Sequence, residues 1–183
     1  MKIILIGIQG AGKSTQGKLL SDKLHIPYLS TGHIFRELAK EHTPFGRYIK
    51  ETMNAGYLIP DDKTLEIVTE YLHRDEYKNG YILDGFPRTT HQAEAFENGV
   101  DNVFYLKVSD KEALWRLSYR AMNDAESRED DTLKAIRKRI ELFHSLTEPV
   151  IEHYRHHHKL VEVDGEQEIE KIHHEIMSHI KKA

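Results

Sequence analysis

Apolar positions in this chain fall into short β-branched runs separated by stripes with helical spacing. Residues 2 to 6, KIILI, form one such run bounded by Gly7, the pattern of a strand buried on both faces. From Lys13 to Leu24 the apolar positions Leu20 and Leu24 lie one turn apart, so a strand, a glycine-rich turn and a helix are expected in direct succession. Further strands are predicted at Tyr81-Ile82-Leu83, at Val103-Phe104-Tyr105-Leu106 and at Leu160-Val161-Glu162-Val163. Ala113, Leu114, Leu117 and Ala121 share a helical face behind Ser109-Asp110-Lys111-Glu112, a capping box, and Leu133, Ile136, Ile140 and Phe143 form a second stripe. Strands alternating with helices predict an α/β fold, a doubly wound parallel sheet with helices around it. Residues 30–59 and 121–130 carry helix or loop signals without a strand and are expected to be insertions on a single domain spanning 1–183. No internal repeat is present, and the only biased stretch is His156-His157-His158.

Composition narrows the class. The 183 residues carry 26 Lys and Arg against 30 Asp and Glu, a formal charge of -4, with 39% hydrophobic and 31% charged residues. Such a chain is globular rather than disordered, fibrous or membrane-spanning, and no membrane partner is expected. Its acidic balance argues against non-specific nucleic-acid binding, which needs a basic face able to neutralise many phosphates. The N-terminal apolar run is broken by Gly7 and Lys13 too early for an export signal, which predicts a cytoplasmic protein. With no Cys, the chain has neither disulfides nor a thiolate metal site. His153 and His157 stand at i and i+4, but no acidic or Cys residue completes a recognised metal set.

The chemistry starts at Gly7-Ile8-Gln9-Gly10-Ala11-Gly12-Lys13-Ser14, which satisfies G-x-x-x-x-G-K-[ST] between a predicted strand and a predicted helix. Glycines let the backbone wrap a phosphate with its N–H groups turned inward, and the helix N-terminus adds positive charge. Lys13 is expected at the β- and γ-phosphates, with Ser14 or Thr15 facing Mg²⁺. Asp84, at the end of a second buried strand, is where a P-loop protein holds Mg²⁺ directly or through water. Together these motifs point to a nucleoside triphosphate and its metal, and they leave the phosphoryl acceptor open.

Two further segments, Ser30-Thr31-Gly32-His33-Ile34-Phe35-Arg36 and Asp84-Gly85-Phe86-Pro87-Arg88-Thr89-Thr90-His91-Gln92, closely resemble signatures of the adenylate kinase family. The similarity continues through Gly56-Tyr57-Leu58-Ile59-Pro60-Asp61, Arg116-Leu117-Ser118-Tyr119-Arg120, and Arg128-Glu129-Asp130-Asp131 with Arg139. The resemblance implies a P-loop kinase with a central parallel sheet, a helical monophosphate-binding insertion at 30–59 and a short lid at 121–130. It implies reversible transfer from Mg-ATP to AMP, giving two ADP, by a monomer. On that resemblance Gly10 to Thr15 hold ATP with Arg120, Arg116 lies against its adenine, and backbone near Gln167 touches its base. Thr31, Arg36, Arg88 and Gln92, with the backbone of Tyr57 to Ile59 and Gly85, hold AMP. Arg128 and Arg139 bridge the two phosphate chains. Only Ala121 to Ser127 separate Arg120 from Arg128, and without Cys the zinc knuckle of long-lid relatives has no ligands, so no zinc is expected.

Several of these residues also have plain structural readings. Thr31 suits a helix N-cap, Thr89 to Gln92 is a T-x-x-Q capping box, and Arg116 and Arg120 at i and i+4 suit acidic neighbours. A Gln92 amide turned back to a cap is not available to a base. Arg137 and Arg139 flank the Leu133 stripe on opposite sides, so they serve different sites, and the resemblance selects Arg139. Gly32, Gly46 and Gly56 are candidate flexible points. Three positions depart from the family: Gln9 for Pro, Ser14 for Gly, and His33 for the Asp that helps organise water around Mg²⁺. An imidazole in place of that carboxylate loses its negative charge, which predicts lower turnover. Thr31 with Gln92 resembles the adenine-selecting pair. Broader acceptors such as UMP, CMP or dAMP, and a low-turnover ATP/AMP sensor motivated by His33, are the alternatives.

Overall fold

The computed structural model describes residues 1–96, 99–122 and 132–180. Five strands form one all-parallel sheet in the order β2-β3-β1-β4-β5: β1 Lys2–Ile6, β2 Tyr28–Ser30, β3 Tyr81–Asp84, β4 Asn102–Lys107 and β5 Leu160–Asp164. In β1, at the centre, Ile3, Ile4, Leu5 and Ile6 are buried, as a strand covered on both faces requires. Register sets Leu5 and Ser30 level with Asp84, so β1, β2 and β3 end along one rim. Ligands of open α/β sheets bind beyond that carboxyl rim.

The helices are α1 Lys13–Leu24, α2 Thr31–Leu38, α3 Pro44–Asn54, α4 Asp61–Leu72, α5 Thr90–Ala95, α6 Asp110–Met122, α7 Leu133–Leu142, α8 Glu148–His156 and α9 Ile169–His179. Helix α1 packs on the sheet and against α9, while α5 packs against both α4 and α8. A π-helical turn, Phe143–Thr147, joins α7 to α8. Helices α2 and α3 pack on each other, and Phe35, Ile49 and Ile59 form a small core of their own beside the main one.

Four details differ from the sequence reading. Strand β2 carries too short a pattern, Tyr-Leu-Ser with only Leu29 fully buried, to stand out by periodicity. Leu133 does not extend the α7 stripe: it is 52% exposed, because it opens the helix, whereas Ile136 is buried. Ala121 is likewise exposed near the end of α6, beyond buried Ala113 and Leu117. The Ser109 capping box is half formed. Its hydroxyl accepts from the Glu112 N–H, but the Glu112 carboxylate turns to Arg116, and Glu166 takes the Ser109 N–H instead.

Candidate functional site

The buried aliphatics of β1 drive its C-terminal end to the rim, and the chain then has six residues in which to enter α1. Gly10 and Gly12 make that turn at φ of 90° and 86°, a region L side chains rarely adopt, and a side chain at Gly10 would press on Ala113 and Leu117. Helix α1 begins without a side-chain cap and without an acidic residue in its first turn. Its N-terminal field is thus left for an external anion. Lys13 folds back over the loop, donating to the carbonyls of Gly7 at 2.8 Å and Ile8 at 3.0 Å. Ser14 and Thr15 are exposed beside it, and Ala11 is buried under the loop.

Across the rim, Asp84 is 7% exposed and accepts from the Tyr28 hydroxyl at 2.7 Å. Thr31 does not cap α2. Ser30 caps it, accepting from the His33 N–H, because Thr31 already has helical geometry and its hydroxyl turns to the carbonyls of Gly85 and Asp84. Arg88 donates from Nε to the Gly85 carbonyl at 2.7 Å, and its own carbonyl accepts from Thr147 in the π-helical turn. Arg36 lies over Gly32, where an added Cβ would meet its guanidinium.

Gln92 is 1% exposed and held by both ends of its amide. Oε1 accepts from the Arg88 N–H at 2.8 Å, and Nε2 donates to Asp61 Oδ1 at 2.7 Å. Thr89 caps α5, accepting from the Gln92 N–H, so the expected capping box is present but its return bond goes to the residue before the cap. Cap and cleft coexist here, since Gln92 lines the cleft as well.

Most of these groups converge on one cleft of about 960 Å³; Thr31, buried with its hydroxyl on the Gly85 and Asp84 carbonyls, does not line it. The P-loop, Asp84, Gly85, Tyr57, Ile59, Gln92 and Gln167 all reach it, as do Arg36, Arg88, Arg116, Arg120 and Arg139. Arg116 pairs with Glu112 at 2.7 Å and donates to the Gly165 carbonyl at 3.0 Å, tying α6 to the loop after β5. Arg139 donates to the Met53 carbonyl at 3.0 Å, tying α7 to the end of α3. Arg137 is exposed and outside the cleft, as the helical geometry requires. Gln167 turns its amide to Asp164 and Glu175. Arg128 and most of the 121–130 segment lie outside the described residues.

Sequence reasoning missed Tyr28, Thr147 and Asp61. The first two act across 56 and 59 positions, and nothing local marks them. Asp61 stood within a recognised motif but was given no role. Away from the cleft, the His157 ring donates from Nδ1 to the His153 carbonyl, with the two rings 4.4 Å apart. Among the described residues no group of three or more His, Asp or Glu side chains has the arrangement to hold a metal ion.

Residues 5–159 match the family model described as adenylate kinase. An adenylate kinase of Cyanothece sp. (strain PCC 7425 / ATCC 29141) is 41% identical over 173 residues, covering 91% of this chain and 88% of the relative. Adenylate kinase 1 of Nostoc sp. (strain PCC 7120 / SAG 25.82 / UTEX 2576) is 38% identical over 182 residues, with 96% of each chain covered. An adenylate kinase of Clostridium perfringens (strain SM101 / Type A) is 36% identical over 204 residues, with 94% of each covered. That last alignment is longer than this chain, so the Clostridium relative carries residues without a counterpart here. A P-loop and a row of arginines on one cleft, at the rim of a five-stranded parallel sheet, thus accompany similarity over nearly the whole length: the chain belongs to the adenylate kinase family.

Proposed function

We propose that the cleft transfers the γ-phosphoryl group of Mg-ATP to AMP, reversibly, giving two ADP. The observation that carries this reading is the joining, in one cleft, of an uncapped phosphate loop with Arg36, Arg88 and the anchored Gln92. A phosphate loop alone serves many reactions; a second anion grip and a base-facing amide beside it call for a second nucleotide.

The loop N–H groups from Gly10 to Thr15 and the α1 N-terminus bind the ATP phosphates, and the Lys13 ammonium moves from the loop carbonyls to their β- and γ-oxygens. Arg116 lies along the adenine, with backbone near Gln167 at its edge, and Arg120 meets the phosphates. Thr31, Gly85 and the backbone of Tyr57 to Ile59 seat AMP, while Arg36 and Arg88 grip its phosphate in bidentate fashion. An AMP phosphate oxygen attacks the γ-phosphorus in line and the bond to the β-phosphate oxygen breaks. Charge spreads over the equatorial oxygens, where Arg128 and Arg139 stabilise it, and no protein nucleophile is required. The Ser14 hydroxyl and Asp84 carboxylate are hard oxygen donors suited to the Mg²⁺ that arrives with ATP, the phosphates supplying further oxygens. The 30–59 insertion, with its own core of Phe35, Ile49 and Ile59, closes over AMP and excludes water from the transfer.

We assign the activity to a monomer, as the family resemblance implies. No helix among the described residues is long and apolar enough to cross a membrane, and we assign the activity to the cytoplasm, where both nucleotides are available. A coupled assay with AMP, UMP, CMP and dAMP, run beside calorimetric binding, tests the reading. AMP is expected to give the highest kcat/KM. Binding of ATP and AMP without turnover would select a sensor instead.

A further inference from the structure

Asp61 opens α4 at the end of the insertion, is half-buried, and joins two elements that the chain brings together only in the fold. Its Oδ2 accepts from the Thr89 hydroxyl at 2.7 Å, and its Oδ1 accepts from Gln92 Nε2 at 2.7 Å. Thr89 in turn caps the helix that carries Gln92. A carboxylate only accepts and a backbone N–H only donates, so Asp61 and the Arg88 N–H permit a single orientation of the Gln92 amide. Turned over, Oε1 would face a carboxylate and the NH₂ group would face another N–H.

We infer that Asp61 is a positioning residue that sets which purine the acceptor site takes, by locking the polarity of Gln92. The amide uses one hydrogen on Asp61 and one lone pair on the Arg88 N–H, so one hydrogen and one lone pair remain. A 6-aminopurine offers a donor at its exocyclic nitrogen next to an acceptor at N1 and matches that pair. A 6-oxopurine offers the reverse order and would need the amide inverted. A free glutamine could invert and accept either base; one pinned from both sides rejects the second by leaving buried groups unpaired. This inference rests on the proposed AMP site and adds the source of its base selectivity.

The test compares AMP with IMP, which differs at the 6-position without adding a 2-amino group. kcat/KM for each acceptor, and calorimetric affinity for each in the absence of turnover, are measured in the wild type, Asp61→Ala, Asp61→Asn, Gln92→Ala and the Asp61→Ala/Gln92→Ala double variant. Asp61→Ala is expected to lower the AMP:IMP ratio by at least about tenfold, the order of one hydrogen bond to a charged group, through the acceptor KM with the KM for ATP unchanged. Asp61→Asn keeps an acceptor oxygen and lowers the ratio by a smaller factor. In the Gln92→Ala background the loss of Asp61 changes the ratio no further. If Asp61 only staples α4 to α5, the melting temperature falls while the ratio stays at the wild-type value in whichever variants fold, and the inference is overturned. Failure of the wild type to phosphorylate AMP would instead overturn the proposed activity, and the binding ratio would still decide the role of Asp61.

Discussion

His33 is the residue whose identity departs most from what its position asks. It is exposed, lines the cleft and sits in the first turn of α2, where an acidic side chain would be favoured by the helix field and would order water around a phosphate-bound cation. His33→Asp is expected to raise kcat by roughly tenfold, the low end of what outer-shell partners of a metal contribute, and steady-state assay at saturating substrates checks it. An unchanged or reduced kcat counts against the role. Gly56 shows how far a residue's meaning depends on its surroundings. By sequence it was a candidate flexible point; in the fold it has a φ of 81°, and an added Cβ would lie 2.6 Å from the Ala135 carbonyl of α7. Gly56→Ala is expected to cost about 2–4 kcal/mol, the left-handed penalty plus overpacking, and to lower the melting temperature by roughly 10 °C. A shift of under a degree in a thermal melt would rule this out.

At the scale of elements, α6, the π-helical turn and α8 are joined by a titrating link. His144 in the π-helical turn meets Glu148 of α8 through Nδ1 at 2.7 Å and Asp110 of α6 through Nε2 at 2.8 Å. The hydrogen bond to Glu148 foremost holds its imidazole above the ordinary value of 6.5; burial, next in size, opposes the rise, and Asp110 adds to it. Tyr105 and Lys107 of β4, Asp164 of β5 and the nearby Glu166 line the same hollow. Because the folded value is raised, the link's stabilisation is fully present below pH 6.5 and is lost as pH climbs through the raised value. His153 and His173 have the opposite sign, since burial lowers both, so their destabilising protonation appears as pH falls. The comparison is therefore made between wild type and His144→Gln. Their melting temperatures should differ most at pH 6 and converge towards roughly pH 9, with a difference of at most about 3 °C because an exposed pair contributes no more than about 1 kcal/mol. A constant offset across that range would exclude the link. Strand and helix order were legible from periodicity because the central strands are buried on both faces. Strand β2 was not, since three residues with one buried side chain carry no period.

For the whole molecule, net charge and local charge have opposite signs. The chain carries -4, yet among the described residues five arginines line one cleft, so the field that nucleotides meet is positive there. KM for both substrates is expected to rise with ionic strength, several-fold between about 0.05 and 0.5 M salt as the Debye length shrinks from roughly 14 Å to 4 Å, with kcat changed much less. Assay in NaCl and in potassium acetate separates screening from specific anion competition, and a flat KM in both would refute steering. Arg36, Arg88 and Arg139 could be nominated from motifs. That Arg139 reaches the Met53 carbonyl, that Arg116 ties the loop after β5 to α6, and that Thr147 holds the Arg88 backbone could not be.

By itself, the order of apolar runs and stripes determined a parallel α/β sheet, and the glycine spacing before Lys13 determined a phosphate loop. Both depend on interactions between near neighbours in the chain, which leave a periodic or positional trace. Only the tertiary structure decided which way the Gln92 amide faces, that Ser30 rather than Thr31 caps α2, and that Gly56 is an approach point between helices. Those outcomes rest on hydrogen bonds and packing across tens of positions, Asp61 to Gln92 and Gly56 to Ala135 among them, and such partners are chosen by the topology that brings them within 3 Å.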